Sequence, residues 1–112
     1  MTILALDLGT KLGYYIEGKK KARTKDLGVG DERFHNLIEF LVKYASRDID
    51  TIVYEEAAFQ RGNAIPIYHG LVGVLKAFCI NKNVHYEGIP VGTIKKAFTG
   101  KGNCFPVTIL IN

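Results

Sequence analysis

No run of apolar residues in the chain approaches the ~20 that a membrane-spanning helix needs, which excludes a helical membrane span. The opening residues, Met1-Thr2-Ile3-Leu4-Ala5-Leu6-Asp7, have no basic stretch and meet an acid early. A secretory signal is therefore not expected, and a cytoplasmic location is. The 2 cysteines, Cys79 and Cys104, form no C-x-x-C or zinc-type spacing, and His35, His69 and His85 add no ligand pattern. Repeats, Pro/Ser linkers and low-complexity tracts are absent. At 112 residues with 47% hydrophobic and 23% charged residues, the chain reads as one globular domain with its own core.

Charge is unevenly spread. Residues 1–56 carry nine Lys/Arg against ten Asp/Glu, while 57–112 carry six against one acid, Glu87. A basic half suits an anionic partner such as nucleic acid, though a soluble surface that is simply basic reads the same way.

Ile3–Leu8 is a short apolar run bounded by glycine and reads as a buried strand. Residues 13–17 read as a second, antiparallel strand, and the basic segment 19–27 as a third at a sheet edge. There, Lys19, Lys20, Lys21, Arg23 and Lys25 either discourage edge-to-edge pairing or contact phosphates. Residues 31–46 predict a helix with Phe34, Leu37, Ile38, Leu41, Val42 and Ala45 on its buried face. Thr51–Tyr54 is a β-branched strand running into Glu55-Glu56. A second helix, marked by Ile65, Tyr68, Leu71, Val72, Leu75, Phe78 and Cys79, ends near 81–83. Gly70 and Gly73 within it point to close packing of its backbone on the sheet. Residues 84–87 are a further strand, 93–98 a short helical turn, and 107–111 a possible last strand. Three leading strands followed by helix–strand alternation predict an α/β fold: a mixed five-stranded sheet, antiparallel then parallel, flanked by helices.

Asp7 needs explaining, because a carboxylate in so apolar a strand is costly to bury unpaired. It falls at the strand's carboxyl end, where open α/β sheets place ligands. Glu55 and Glu56 end another strand in the same way, and side-chain alternation lets only one of them face Asp7's side. Two such carboxylates make an oxygen-rich site for Mg²⁺ or Mn²⁺, ions that support phosphodiester cleavage. A strand-end acid paired with a lysine is the alternative. The run Asp7-Leu8-Gly9-Thr10-Lys11-Leu12-Gly13 also suits a phosphate-binding turn of an actin-like or sugar-kinase-like ATPase. The chain is too short for that two-domain architecture. Tyr14, Tyr15 and Phe59 could stack on bases, but aromatic residues in or beside strands are more often core.

Four stretches, in order, carry a family resemblance: residues 5–13; Ile52-Val53-Tyr54-Glu55-Glu56; Gly70-Leu71-Val72-Gly73-Val74-Leu75; and Tyr86-Glu87-Gly88-Ile89-Pro90 through Thr93-Ile94-Lys95-Lys96 to residues 99–103. Together they resemble the RuvC-like Holliday junction resolvases of the RNase H fold, especially short phage and bacterial forms. The resemblance implies a homodimeric, Mg²⁺- or Mn²⁺-dependent endodeoxyribonuclease acting on branched DNA such as four-way junctions. Asp7 and Glu55 match two of the family's four catalytic, metal-binding acids, with Glu56 the alternate ligand. Lys95, Lys96 and Lys101 match a basic region near the DNA backbone, and Lys11 joins the expected nucleic-acid contacts.

The domain is expected to span 1–103, with 104–112 an atypical tail. There the family continues with a Lys/Glu-rich stretch and a helix bearing its last two acids, whereas this chain has no acid after Glu87. A truncation or frame shift near 103 would give such a sequence, and the genomic DNA downstream would reveal it. Two other readings follow: a catalytically inactive nucleic-acid-binding module, and an RNase H-like nuclease acting on structured RNA.

Overall fold

The computed structural model describes residues 2–19, 21–45, 48–56 and 64–90. Strand β1 (Ile3–Asp7) is followed by β2 (Lys11–Ile16), β3 (Arg23–Asp26), α1 (Glu32–Ala45), β4 (Thr51–Glu55), α2 (Ala64–Lys82) and β5 (His85–Ile89). The sheet order is β3-β2-β1-β4-β5. The first three strands pair antiparallel, and β4 is parallel to both β1 and β5. This is the expected mixed sheet. The expected short helix at 93–98 and strand at 107–111 lie outside the described residues.

Strand alternation divides the core in two. Even-numbered residues of the central strands, Leu4, Leu6, Leu12, Ile52 and Tyr54, join Leu37, Phe40 and Leu41 of α1 and Leu71, Leu75 and Phe78 of α2 in the main apolar cluster. Ile3, Ala5, Val53 and Ile89 form a smaller cluster on the opposite face, with Tyr15 against it. Both described helices therefore pack on the even face. The central strands are buried on both faces up to the half-buried Asp7, which is why they read as continuous apolar runs rather than alternating ones. The edge strand β3 is exposed at all four positions and shorter than the expected basic segment.

The helix faces need correction. In α1 the buried residues are Leu37, Phe40, Leu41 and Ala45, whereas Val42 is 52% exposed. Apolar side chains cover more than half of that helix, so several stripes satisfy helical spacing and packing selects the one through Phe40. In α2 Ile65 is 40% exposed, while Tyr68, Leu71, Val72, Leu75, Phe78 and Cys79 are buried as expected. Burial pushes the Cys79 thiol up to about 11.

Neither helical glycine meets the sheet. A Cβ on Gly70 would collide with Phe34 Cε1, so this glycine lets α1 and α2 approach each other. Gly73 faces open space. Asn83, with φ 58°, ends α2 in a Schellman turn. There Val84 N–H donates to the Cys79 carbonyl (2.9 Å) and Asn83 N–H to that of Ile80 (3.4 Å). Among the described residues, no helix is long and apolar enough to cross a membrane.

Candidate active site

The parallel pairing of β1 with β4 runs Ile3 with Thr51, Leu4 with Ile52, Ala5 with Val53 and Leu6 with Tyr54. Asp7 and Glu55 are the next residues on the two strands. Both follow the parity of Ala5 and Val53, so both belong to the face opposite the helices. Adjacent strands lie about 4.8 Å apart, so the two carboxylates grow from neighbouring backbones at the same sheet end. Asp7 is half-buried and Glu55 is 8% exposed. Each also engages in further polar interactions.

The backbone beneath Glu55 is fixed from the helical side. Tyr68 of α2 donates its hydroxyl hydrogen to the Glu55 carbonyl oxygen at 2.8 Å, in a buried position. On the other flank, the Glu56 amide donates to the Ile89 carbonyl at 2.8 Å, extending the β4–β5 ladder. Sequence alone reads Tyr68 as a core residue. Its ring is core, but its hydroxyl serves a main-chain atom on another element, a partnership with no side-chain pattern to reveal it.

Glu56 goes elsewhere. A Cβ added to Gly88 would stand 2.6 Å from Glu56 Cγ, so the Glu56 side chain lies across that glycine. Gly88 registers with Tyr54, whose side chain belongs to the helix-facing cluster. Glu56 thus leaves β4 on the side away from Asp7, and it is exposed.

Lys11 begins β2 at the same sheet end as Asp7, because Asp7 pairs with Gly13 in the antiparallel register. Its Nζ lies 2.9 Å from Asp26 Oδ2 on β3. That bond, with the Gly28 amide donating to Asp26 Oδ1 at 2.8 Å, holds the Asp26 carboxyl below its usual value. Both side chains are well exposed, so the pair is weak and leaves the ammonium accessible from solvent. Lys95, Lys96 and Lys101 lie outside the described residues.

Two carboxylates supply hard oxygen donors. Mg²⁺ is commonly held by one or two carboxylates with water completing its shell, so the donor set fits such an ion. Among the described residues, no group of three or more His, Cys, Asp or Glu side chains is placed to share one metal ion.

Neither a protein-family model nor a curated protein sequence matches the chain. Solved structures do. Thermus thermophilus RuvC aligns over 93% of this chain and 72% of its own, with a TM-score of 0.66 and 22% identity. The same organism's RuvC in complex with a Holliday junction substrate aligns over the same shares, with a TM-score of 0.62 and 21% identity. The fowlpox virus Holliday junction resolvase aligns over 80% of this chain and 61% of its own, with a TM-score of 0.55 and 16% identity. These likenesses establish the fold. The chain has the RNase H-like architecture of RuvC, and its sheet order and strand directions are those of that architecture.

Proposed function

We propose that this RuvC-type fold serves a metal-dependent endonuclease of the Holliday junction resolvase class, hydrolysing phosphodiester bonds in branched DNA. One observation carries the reading: Asp7 and Glu55 end neighbouring parallel strands on one face, in a fold shared with a RuvC captured on a junction. In this reading Asp7 and Glu55 hold Mg²⁺ or Mn²⁺. The ion supplies charge neutralisation at the phosphate and eases loss of a proton from water. Asp7, the more exposed of the two, would hold the ion on the side open to substrate. Glu55, the more buried, is the fixed member, its backbone anchored by Tyr68. Lys11, Lys95, Lys96 and Lys101 hold DNA phosphates, which makes binding strongly salt-dependent and largely independent of sequence. The partner is a four-way or similarly branched DNA, engaged by a homodimer.

A second reading, a binding module without turnover, rests on the basic balance of residues 57–112, six Lys/Arg against one acid. A single experiment separates the two. A synthetic four-way junction is incubated with the protein in Mg²⁺ or Mn²⁺, beside EDTA, Asp7→Asn and Glu55→Gln controls. Nicking that needs the cation and both carboxylates is the expected result. Nicking that persists in EDTA or in Asp7→Asn overturns the proposed site. Salt-sensitive binding with no nicking selects the binding module, and in a parallel arm on structured RNA, cleavage of the RNA alone selects a ribonuclease.

A further inference from the structure

The face opposite the carboxylate pair carries a cleft of about 510 Å³, lined by Tyr14, Ile16, Lys19, Lys21, Arg23 and Tyr44. Its size lies within the ~300–1,000 Å³ usual for small-ligand pockets. Two kinds of chemistry meet in it.

The first is aromatic. Tyr14 of β2 and Tyr44 of α1 lie with ring centroids 5.6 Å apart, and both rest on Phe40, at 4.8 and 4.7 Å. Phe40 is fully buried, so the tyrosines stand on a rigid base. The second is cationic. Lys19, Lys21 and Arg23 line the cleft, and no carboxylate among the described residues forms an ion pair with them. Arg23 is registered directly beside Tyr14 across the β2–β3 ladder. Lys43, 5.2 Å from the Tyr44 ring centroid, lines an adjoining cleft and not this one. The acids Glu17, Asp48 and Asp50 line that adjoining cleft, which shares Ile16, Lys19 and Tyr44 with this one, and they do not line this one.

Clustered cations without counter-charges favour a polyanion, and tyrosines on a rigid base favour a flat ring beside it. Nucleic acid offers both in each nucleotide unit. In a duplex the bases are paired and stacked inside, whereas a single strand presents bare bases and phosphates together. We infer that this cleft binds a single-stranded segment of nucleic acid, its phosphates on Lys19, Lys21 and Arg23 and a base against Tyr14 and Tyr44. The site lies on the helix-bearing face, so it is separate from the Asp7–Glu55 pair and does not depend on the function proposed for that pair. A strand held here occupies a surface that a substrate on the carboxylate face leaves open.

The test uses the full chain in EDTA, so that neither metal nor cleavage contributes. Binding of a short fluorescein-labelled oligothymidylate is followed by fluorescence anisotropy. Charge reversals at the exposed cleft positions, Lys21→Glu and Arg23→Glu, are each expected to weaken binding about tenfold. Lys76→Glu on the exposed side of α2, with the same change in net charge, is expected to stay within about twofold of the wild type. The ring resonances of Tyr14 and Tyr44 should shift on titration with the oligonucleotide, which locates the contact without any substitution. Equal losses in Lys76→Glu and Arg23→Glu would overturn the site in favour of diffuse attraction. Unmoved Tyr14 and Tyr44 resonances would overturn it as well. Tripolyphosphate shifting those rings and competing as well as the oligonucleotide would reduce the cleft to a plain anion site, overturning the base contact.

Discussion

The hydroxyl of Tyr68 reaches from α2 to the main-chain carbonyl of Glu55, so this helix and the candidate catalytic strand end are joined at one atom. Tyr68→Phe keeps the ring and removes this bond. A net loss of about 1 kcal/mol in unfolding free energy is expected, typical of one intramolecular hydrogen bond. If Glu55 works as proposed, junction nicking slows while junction affinity is kept, because Tyr68 positions Glu55 and touches no DNA. Denaturant melts and single-turnover cleavage measure the two effects, and a change in affinity alone would refute the positioning role.

Glu55 and Glu56 should differ sharply. Glu55 shares a face with Asp7, whereas the Glu56 side chain lies across Gly88 on the other side. Glu55→Gln is expected to lower nicking by a factor of about 100 or more, the scale of losing a well-placed electrostatic group. Glu56→Gln should leave the rate nearly unchanged. The reverse order in a junction-cleavage assay would mean that the strand end rotates in the working protein.

The two glycines of α2 predict opposite outcomes. Gly73 is exposed with open space about it, so Gly73→Ala should stabilise the protein by about 0.5–1 kcal/mol through helix propensity. Gly70→Ala drives a methyl group into the Phe34 ring and should cost about 1–2 kcal/mol. In a Phe34→Ala background the Gly70→Ala penalty should vanish. Thermal or urea denaturation of the four proteins checks the set.

Asp26 provides a pH signature. Its carboxyl is held below the usual 3.8, first by the hydrogen bond from Lys11 and then by the Gly28 amide. A depressed folded value means that the Asp26 contribution is fully present above the unfolded value. It is lost as pH falls through the lower folded one. Both partners are exposed, so the effect on stability is small. NMR titration should place the Asp26 midpoint below 3.8 and show it rising in Lys11→Ala. An unmoved midpoint would mean that the ion pair is not populated in solution.

The sheet and the position of Asp7 were readable because they rest on strand chemistry. A run such as Ile3-Leu4-Ala5-Leu6 has little choice but to be a central strand, and an acid at its end stands out. Choosing between Glu55 and Glu56 required the β1–β4 register, a long-range fact that local pattern leaves open. Val42 and Ile65 were misplaced because both helices are apolar around much of their circumference, so spacing alone does not select the packed face. Gly70 reads from its place in the helix as a packing glycine, but its neighbour, Phe34, sits on the other helix rather than on the sheet. The basic segment that runs into β3 keeps both its readings, edge protection and phosphate contact, and the fold adds that Tyr44 of α1 shares a cleft with Lys19, Lys21 and Arg23.

The strand that bears Asp7 precedes the other described strands in the chain, yet it occupies the middle of the sheet, and its partner β4 emerges only after all of α1. The β1–β2–β3 meander is built from local turns, but the junction of β1 with β4 needs a long loop to close. The two acids therefore become neighbours only in a chain that has completed this closure. A nascent or partly unfolded copy carries them far apart. In the proposed nuclease, cutting power is thereby withheld until the protein has reached its native form.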